Sequence, residues 1–152
     1  MSKLHAGRVD HVVICVEPHH LEGAARRFEG LLGISFEGPI AVPPLGSTIF
    51  TDQGAGIELV APTDPSIARA QREFLDTHGE GVLRVVFGVA DIDAARHRAI
   101  SMGIDVQPPF DPTDLVPYWR PRFARSLQAH VEPAYGLALS LSETELAHGA
   151  GM

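Results

Sequence analysis

The sequence predicts an α+β fold in which one β-α-β-β-β unit occurs twice. Three paired segments carry that prediction. VDHVVICV (9–16) and VLRVVFGV (82–89) are β-branched runs with valine at the same four places, the composition of buried strands. AARRFEGLLGI (24–34) and AARHRAISMGI (94–104) follow them as helical patterns, each closed by glycine and then isoleucine. Glycine just past the last turn is the usual helix stop. GIELV (56–60) and GLALSL (136–141) are each a glycine followed by a strand run. The first strands are offset by 84 − 11 = 73 positions and the helices by 94 − 24 = 70, so the first connection is three residues longer.

Taken in order, the strand 9–16 opens the first copy. Its helix carries an apolar stripe of Leu21, Ala24, Ala25, Phe28, Leu31 and Leu32, the spacing of a face that packs on a core. Short β signals follow at Ser35–Glu37 and Ser47–Thr51, then the closing strand 56–60. In the linker, Asp64 is placed to cap and Pro65 to occupy the first position of a helix over 66–77, with Ile67, Ala70 and Phe74 on its apolar side. The second copy repeats the plan: a strand at 82–89, a helix with the stripe Ile92, Ala95, Ala99 and Met102, β signals at Asp105–Gln107 and Phe123–Val131, and the closing strand. The chain reads as a single domain made of a module 8–61, a linker helix 64–78 and a module 81–143. Residues 1–7 and 146–152 read as loose tails, with His5 and His148 uninvolved in function.

Composition narrows the function classes. A formal charge of −7 on 152 residues argues against a nucleic-acid footprint and against an anionic membrane surface. No stretch approaches the roughly 20 apolar residues of a membrane span, and MSKLHAGR lacks the apolar core of a secretory signal. Cys15 is the single cysteine; within VVICV it reads as a small buried hydrophobe. A cytoplasmic location is expected.

Several residues stand out against this background. Arg84 interrupts the apolar run VLRVVF at the position that His11 fills in the first copy, and a lone guanidinium is costly to bury without a partner. Ser126, Gln128, His130 and Glu132 alternate along one strand and share a face. The stretch 107–125 carries five prolines, favouring an extended loop. Its Phe110, Tyr118 and Trp119 suit an apolar pocket, and Arg120, Arg122 and Arg125 suit an anionic group. His19, His20, His78 and His97 sit at helix entries, turns or polar faces.

VDHVVICV, the following helix, IELVAP, and FLDTHGEGV through VVFGVADIDAA together make the chain resemble the glyoxalase/bleomycin resistance/dioxygenase superfamily, the vicinal oxygen chelate proteins, with methylmalonyl-CoA epimerase-like members the nearest in appearance. The resemblance covers about residues 8 to 143. It implies two βαβββ modules forming an incompletely closed mixed β-barrel around a divalent metal, with ligands from the first and last strand of each module. Carried over by position, those ligands fall on His11, Glu58, Arg84 and Ser140. Arg84 and Ser140 replace the usual histidine and glutamate, so half the metal set is absent. A unit charge about 4 Å from a dication, at an effective dielectric near 20, implies a repulsion of about 8 kcal/mol. No cofactor is expected to be firmly held, and a divalent metal on His11 and Glu58 would be weakly held.

The resemblance therefore implies a cavity shared by residues 11, 58, 84 and 140, in which Arg84 either replaces the metal or forms an internal ion pair with Glu58 while His11 bonds to Ser140. His11, Glu58 and Arg84 are the catalytic candidates for moving a proton next to a carbonyl. Ser140, Phe110, Tyr118, Trp119, Arg122 and His130 are the candidates for binding a small acidic or acyl substrate with an apolar part. Two alternatives stand beside this isomerase or lyase reading. One is a non-catalytic module that binds a small molecule, as resistance-type relatives do. The other is a metal-dependent oxygenase in which His11, His130 and Glu58 form a two-histidine, one-carboxylate set. A homodimer is expected by analogy.

Overall fold

The computed structural model describes residues Lys3–Gly149. The chain forms two compact units: one is His11–Leu83, and the other joins the stretch ending at Asp10 to the stretch beginning at Arg84. Among the described residues, no helix is long and apolar enough to cross a membrane.

In the first unit, β1 (Val9–Cys15) leads to α1 (Leu21–Leu32), then β2 (Glu37–Val42), β3 (Ser47–Asp52) and β4 (Ile57–Ala61), followed by α2 (Arg69–His78). The strands run in the order β2-β3-β4-β1. β2, β3 and β4 are antiparallel neighbours, while β1 pairs with β4 in parallel. Helix α1 covers one face: Val16, Leu21, Ala25, Phe36, Phe50, Leu59 and Ala61 form the core, with Ile14, Phe28, Ile34 and Ile57 packed on it. The expected stripe fails at its end, because Leu31 is 71% exposed. Gly33 turns the chain at a left-handed φ of 66°, and Ile34 takes the core place that Leu31 and Leu32 leave. The strand expected at Ser35–Glu37 begins only at Glu37. It accommodates Pro39 because it is an edge strand with a register shift between Glu37 and Ile40.

Helix α2 starts at Arg69, three residues later than the capping pattern suggests. The Asp64 carboxylate accepts from the Ser66 N–H and hydroxyl, and the Asp64 carbonyl accepts from the N–H groups of Ile67 and Ala68. This turn lies so close to Gly46 that a Cβ there would sit 2.5 Å from the Asp64 carbonyl oxygen. Ala68 and Leu75 are buried, whereas Ile67 is exposed.

The second unit contains β5 (Gly81–Gly88), α3 (Ile92–Ser101), β6 (Phe123–Ala134) and β7 (Leu137–Leu146). β5 pairs with β7 in parallel and β6 with β7 antiparallel. Asp91 caps α3 by accepting from the Ala94 N–H. Ile92, Val106 and Ala129 form the core, with Ala99, Ile104, Leu127, Val131 and Leu141 packed on it. Met102 is 73% exposed; as in the first unit, the isoleucine after the glycine supplants the last stripe residue. The strand expected at Asp105–Gln107 is reduced to bridges of Val106 with Val131 and Phe110 with Gln128, because Pro108 and Pro109 between them have no N–H to give to a ladder. The β6–β7 hairpin turns on Tyr135 and Gly136, both at positive φ, and a register shift falls between Val131 and Ala134.

The segment before β1 is not a loose tail. Leu4 N–H donates to the Thr144 carbonyl, Gly7 N–H to the Gly88 carbonyl and Gly88 N–H to the Arg8 carbonyl. Lys3 reaches the carboxylates of Glu143 and Glu145 at 2.7 and 3.0 Å. A Cβ on Gly88 would sit 2.2 Å from the His5 carbonyl oxygen, so glycine permits this approach. His148 is exposed.

Candidate functional site

The two modules carry their candidate residues in the same register. Val13 pairs with Glu58 across β1 and β4, and Val86 pairs with Ser140 across β5 and β7. The separation 86 − 13 = 73 equals that between His11 and Arg84. Each module thus sets its first-strand residue two places before the partner of its closing-strand residue. Alternation does the rest. In the first unit Ile14, Leu59 and Ala61 face α1, so His11, Val13 and Glu58 occupy the opposite face. In the second, Leu127, Ala129, Val131 and Leu141 face α3, so His130 and Ser140 occupy the opposite face.

In the second unit these side chains are joined by hydrogen bonds. Arg84 donates from Nη1 to the Leu139 carbonyl at 3.0 Å and to Ser140 Oγ at 2.8 Å. His130 lies directly opposite Ser140 in the β6–β7 ladder, with Nδ1 2.7 Å from the same Oγ. Phe110 packs on the His130 ring at 5.2 Å between centroids. Ser140 is 0% exposed, while Arg84 and His130 are partly exposed. Burial pulls the Arg84 guanidinium below its usual range, although arginine remains charged. Burial, and then the Arg84 charge, lower His130 below the usual imidazole range.

In the first unit, burial pushes the Glu58 carboxyl above the usual carboxylate range, and the His11 charge pulls it back in part. The folded state therefore holds a proton that the unfolded state has already released. The associated stability is full below the unfolded glutamate value of about 4.3 and is lost as pH rises through the raised folded value. Glu58→Gln keeps the shape without the titration. In urea unfolding at several pH values, its stability relative to the parent is expected to improve steadily as pH rises across that window. A pH-independent difference would refute the buried-acid description.

Cys15 on the neighbouring strand is fully buried, and burial raises its thiol to about 11 despite a small opposing pull from Arg72. It is a core residue rather than a nucleophile.

The donor set of the second unit does not fit a divalent metal: a guanidinium, a hydroxyl and an imidazole offer no carboxylate and a fixed positive charge. Among the described residues, no group of three or more His, Cys, Asp or Glu side chains could hold a metal ion. His130 directs its Nδ1 to Ser140.

The loop residues divide. Phe110 reaches His130, as described. Tyr118 and Trp119 meet edge-on at 6.2 Å, and the Arg122 guanidinium lies 5.5 Å from the Tyr118 ring centre, a cation–π arrangement. Arg120 pairs with Asp114 and Arg125 with Glu143. The Leu139 carbonyl, a second acceptor for Arg84, is a main-chain group without a signature in the sequence.

The family described as Glyoxalase/Bleomycin resistance protein/Dioxygenase superfamily matches residues 10–115. No curated protein matches the chain. Among solved structures, the chain is similar to methylmalonyl-CoA epimerase from Mycobacterium tuberculosis, at 26% identity and a TM-score of 0.67, covering 94% of this chain and 90% of that one. The Streptomyces coelicolor methylmalonyl-CoA epimerase in complex with 2-nitronate-propionyl-CoA is 21% identical at a TM-score of 0.62, covering 89% and 95%. A hypothetical protein from Bacillus halodurans C-125 is 20% identical at a TM-score of 0.68, covering 95% and 98%. The similarity confirms the glyoxalase-like α+β fold that the resemblance implies.

Proposed function

Because the chain belongs to the glyoxalase/bleomycin resistance protein/dioxygenase superfamily, we propose that it is an isomerase-type enzyme that moves a proton next to the carbonyl of a small acidic or acyl substrate. The observation that carries the reading is the Arg84–Ser140 hydrogen bond: a held guanidinium occupies a position where relatives are expected to place a metal ligand. A guanidinium offers forked donors to an oxygen gaining negative charge, the service a Lewis acid otherwise provides. In this reading a basic side chain accepts the proton as the carbon–hydrogen bond breaks, and His11 and Glu58 are the candidates that the family resemblance implies. The electron pair moves into an enolate whose oxygen Arg84 stabilises, and a proton is delivered to the opposite face of the same carbon, which inverts it.

Acyl thioesters of coenzyme A are the first substrates to try, since similar structures are methylmalonyl-CoA epimerases. The protein is incubated in deuterated water with methylmalonyl-CoA, propionyl-CoA, and a panel of small keto and hydroxy acids, and label is read by mass spectrometry. Enzyme-dependent deuterium at the carbon beside the carbonyl is expected for at least one compound. A compound that raises the melting temperature yet gains no label, across the whole panel, would replace this reading with that of a binding module.

A further inference from the structure

We infer that the Ser140 hydroxyl locks His130 in the neutral tautomer that carries its proton on Nε2, so that His130 and Arg84 form a paired hydrogen-bond donor for one anionic oxygen of a ligand. The assignment of that oxygen to the substrate carbonyl rests on the proton-transfer reading above; the tautomer and the donor pair do not.

The argument is one of proton accounting around a buried hydroxyl. Arg84 can only donate, and its Nη1 points at Ser140 Oγ. Ser140 is 0% exposed, so water cannot satisfy its own proton, and buried hydroxyls find acceptors. His130 Nδ1, at 2.7 Å, is that acceptor. The reverse assignment would aim two donors at Oγ and turn the hydroxyl proton away from both. An accepting Nδ1 leaves the ring proton on Nε2. The low proton affinity that burial and Arg84 give the imidazole keeps it neutral, and Phe110 packs on its ring.

What remains for a ligand follows from the same contacts. Nη1 makes both of the Arg84 hydrogen bonds described, which leaves Nη2 and Nε. His130 keeps Nε2–H. Both residues are partly exposed, whereas Ser140 is sealed. Ser140 is thus a positioning residue that acts through its two neighbours, and neither neighbour is a proton acceptor at the site. A neutral imidazole donor beside a fixed cation suits an oxygen on which negative charge rests or develops.

The test reads the ring nitrogens without any substrate. Protein labelled with 15N-histidine is examined by long-range 1H–15N correlation near neutral pH, and His130 is assigned by its loss in His130→Gln. The parent is expected to show a protonated Nε2 and a bare Nδ1; a protonated Nδ1, or an imidazolium, would overturn the inference. Ser140→Ala is expected to release the ring into a mixture of tautomers, and Ser140→Thr, which keeps the hydroxyl, to restore the lock. Retention of the pure Nε2–H form in Ser140→Ala would remove Ser140 from the account. Titration with sodium malonate, the anionic probe, is expected to shift the His130 Nε2–H signal. The malonate affinity is expected to fall about tenfold in Ser140→Ala and to recover in Ser140→Thr. An unmoved Nε2–H signal at saturating malonate would defeat the donor pair. Absence of deuterium exchange alongside the expected tautomer would count against the isomerase reading alone.

Discussion

Arg84→Met is expected to cut enzyme-dependent deuterium incorporation by about 10²–10³-fold, the range seen when one preorganised donor to a developing oxyanion is removed. Methionine keeps much of the stem volume and loses every N–H. The fold should survive the change. The substitution strands the Leu139 carbonyl and one bond to Ser140, at a cost of about 1–3 kcal/mol. It also relieves the chain of a partly buried cation. Arg84→Lys separates two explanations: it restores a charge but not a fork, so it should recover only part of the rate if directional donation matters. The measurement is the exchange rate at saturating substrate together with the melting temperature. A methionine variant that exchanges at the parental rate with a parental melting temperature would leave Arg84 without a role.

Glu143→Ala should produce the largest loss of stability in the second unit. The carboxylate is 4% exposed and accepts from three donors: Lys3 Nζ at 2.7 Å, the Ile92 N–H at 2.8 Å and Arg125 Nε. It therefore ties the segment before β1, the start of α3, and β6 to one point on β7. Burial alone would raise its proton affinity, but the bonds from Lys3, Ile92 and Arg125 outweigh it and hold the carboxyl below its usual range. Removal leaves the buried Ile92 N–H and the Arg125 Nε without this acceptor, and leaves Lys3 with Glu145 alone. Loss of one partner of a fully buried pair costs 3–5 kcal/mol; since Lys3 and Arg125 are partly exposed, about 2–3 kcal/mol is expected here. The contribution is complete above the unfolded glutamate value and is lost as pH falls through the depressed folded value. The gap between parent and alanine variant in urea unfolding should then narrow on acidification to about pH 3. A gap that is constant with pH would mean that packing, not the carboxylate charge, makes the difference.

The contrast between these two positions shows how much the sequence discloses. The repeat is legible because valine placement and the glycine-isoleucine stops report strand and helix periods directly, and the shared register of Val13 with Glu58 and Val86 with Ser140 follows from it. Arg84 is legible because a cation in an apolar run is out of place in any fold. Its partners are not. The bond from Ser140 to His130 depends on how two strands align, and strand alignment is a property of the turn and its irregularities. The knot at Glu143 is less visible still, since Lys3 and Glu143 are far apart in the chain and each looks like an ordinary surface residue by type. Where the periodic signal misleads, at Leu31 and Met102, the cause is local: the residue beyond the stop re-enters the core and displaces the one before it.

The irregularity between Val131 and Ala134 has a further consequence. From the turn, Ala134 faces Leu137; beyond the irregularity, Val131 faces Leu139 and His130 faces Ser140. Continued without a break, the first alignment would seat Val131 against Ser140 and send His130 to the apolar side of the sheet. The pairing of His130 with Ser140 thus depends on the irregularity taking up the one surplus residue of β6 between Val131 and Ala134. A single-codon deletion there would remove the surplus residue and leave Val131 opposite Leu139 and His130 opposite Ser140 in an unbroken ladder.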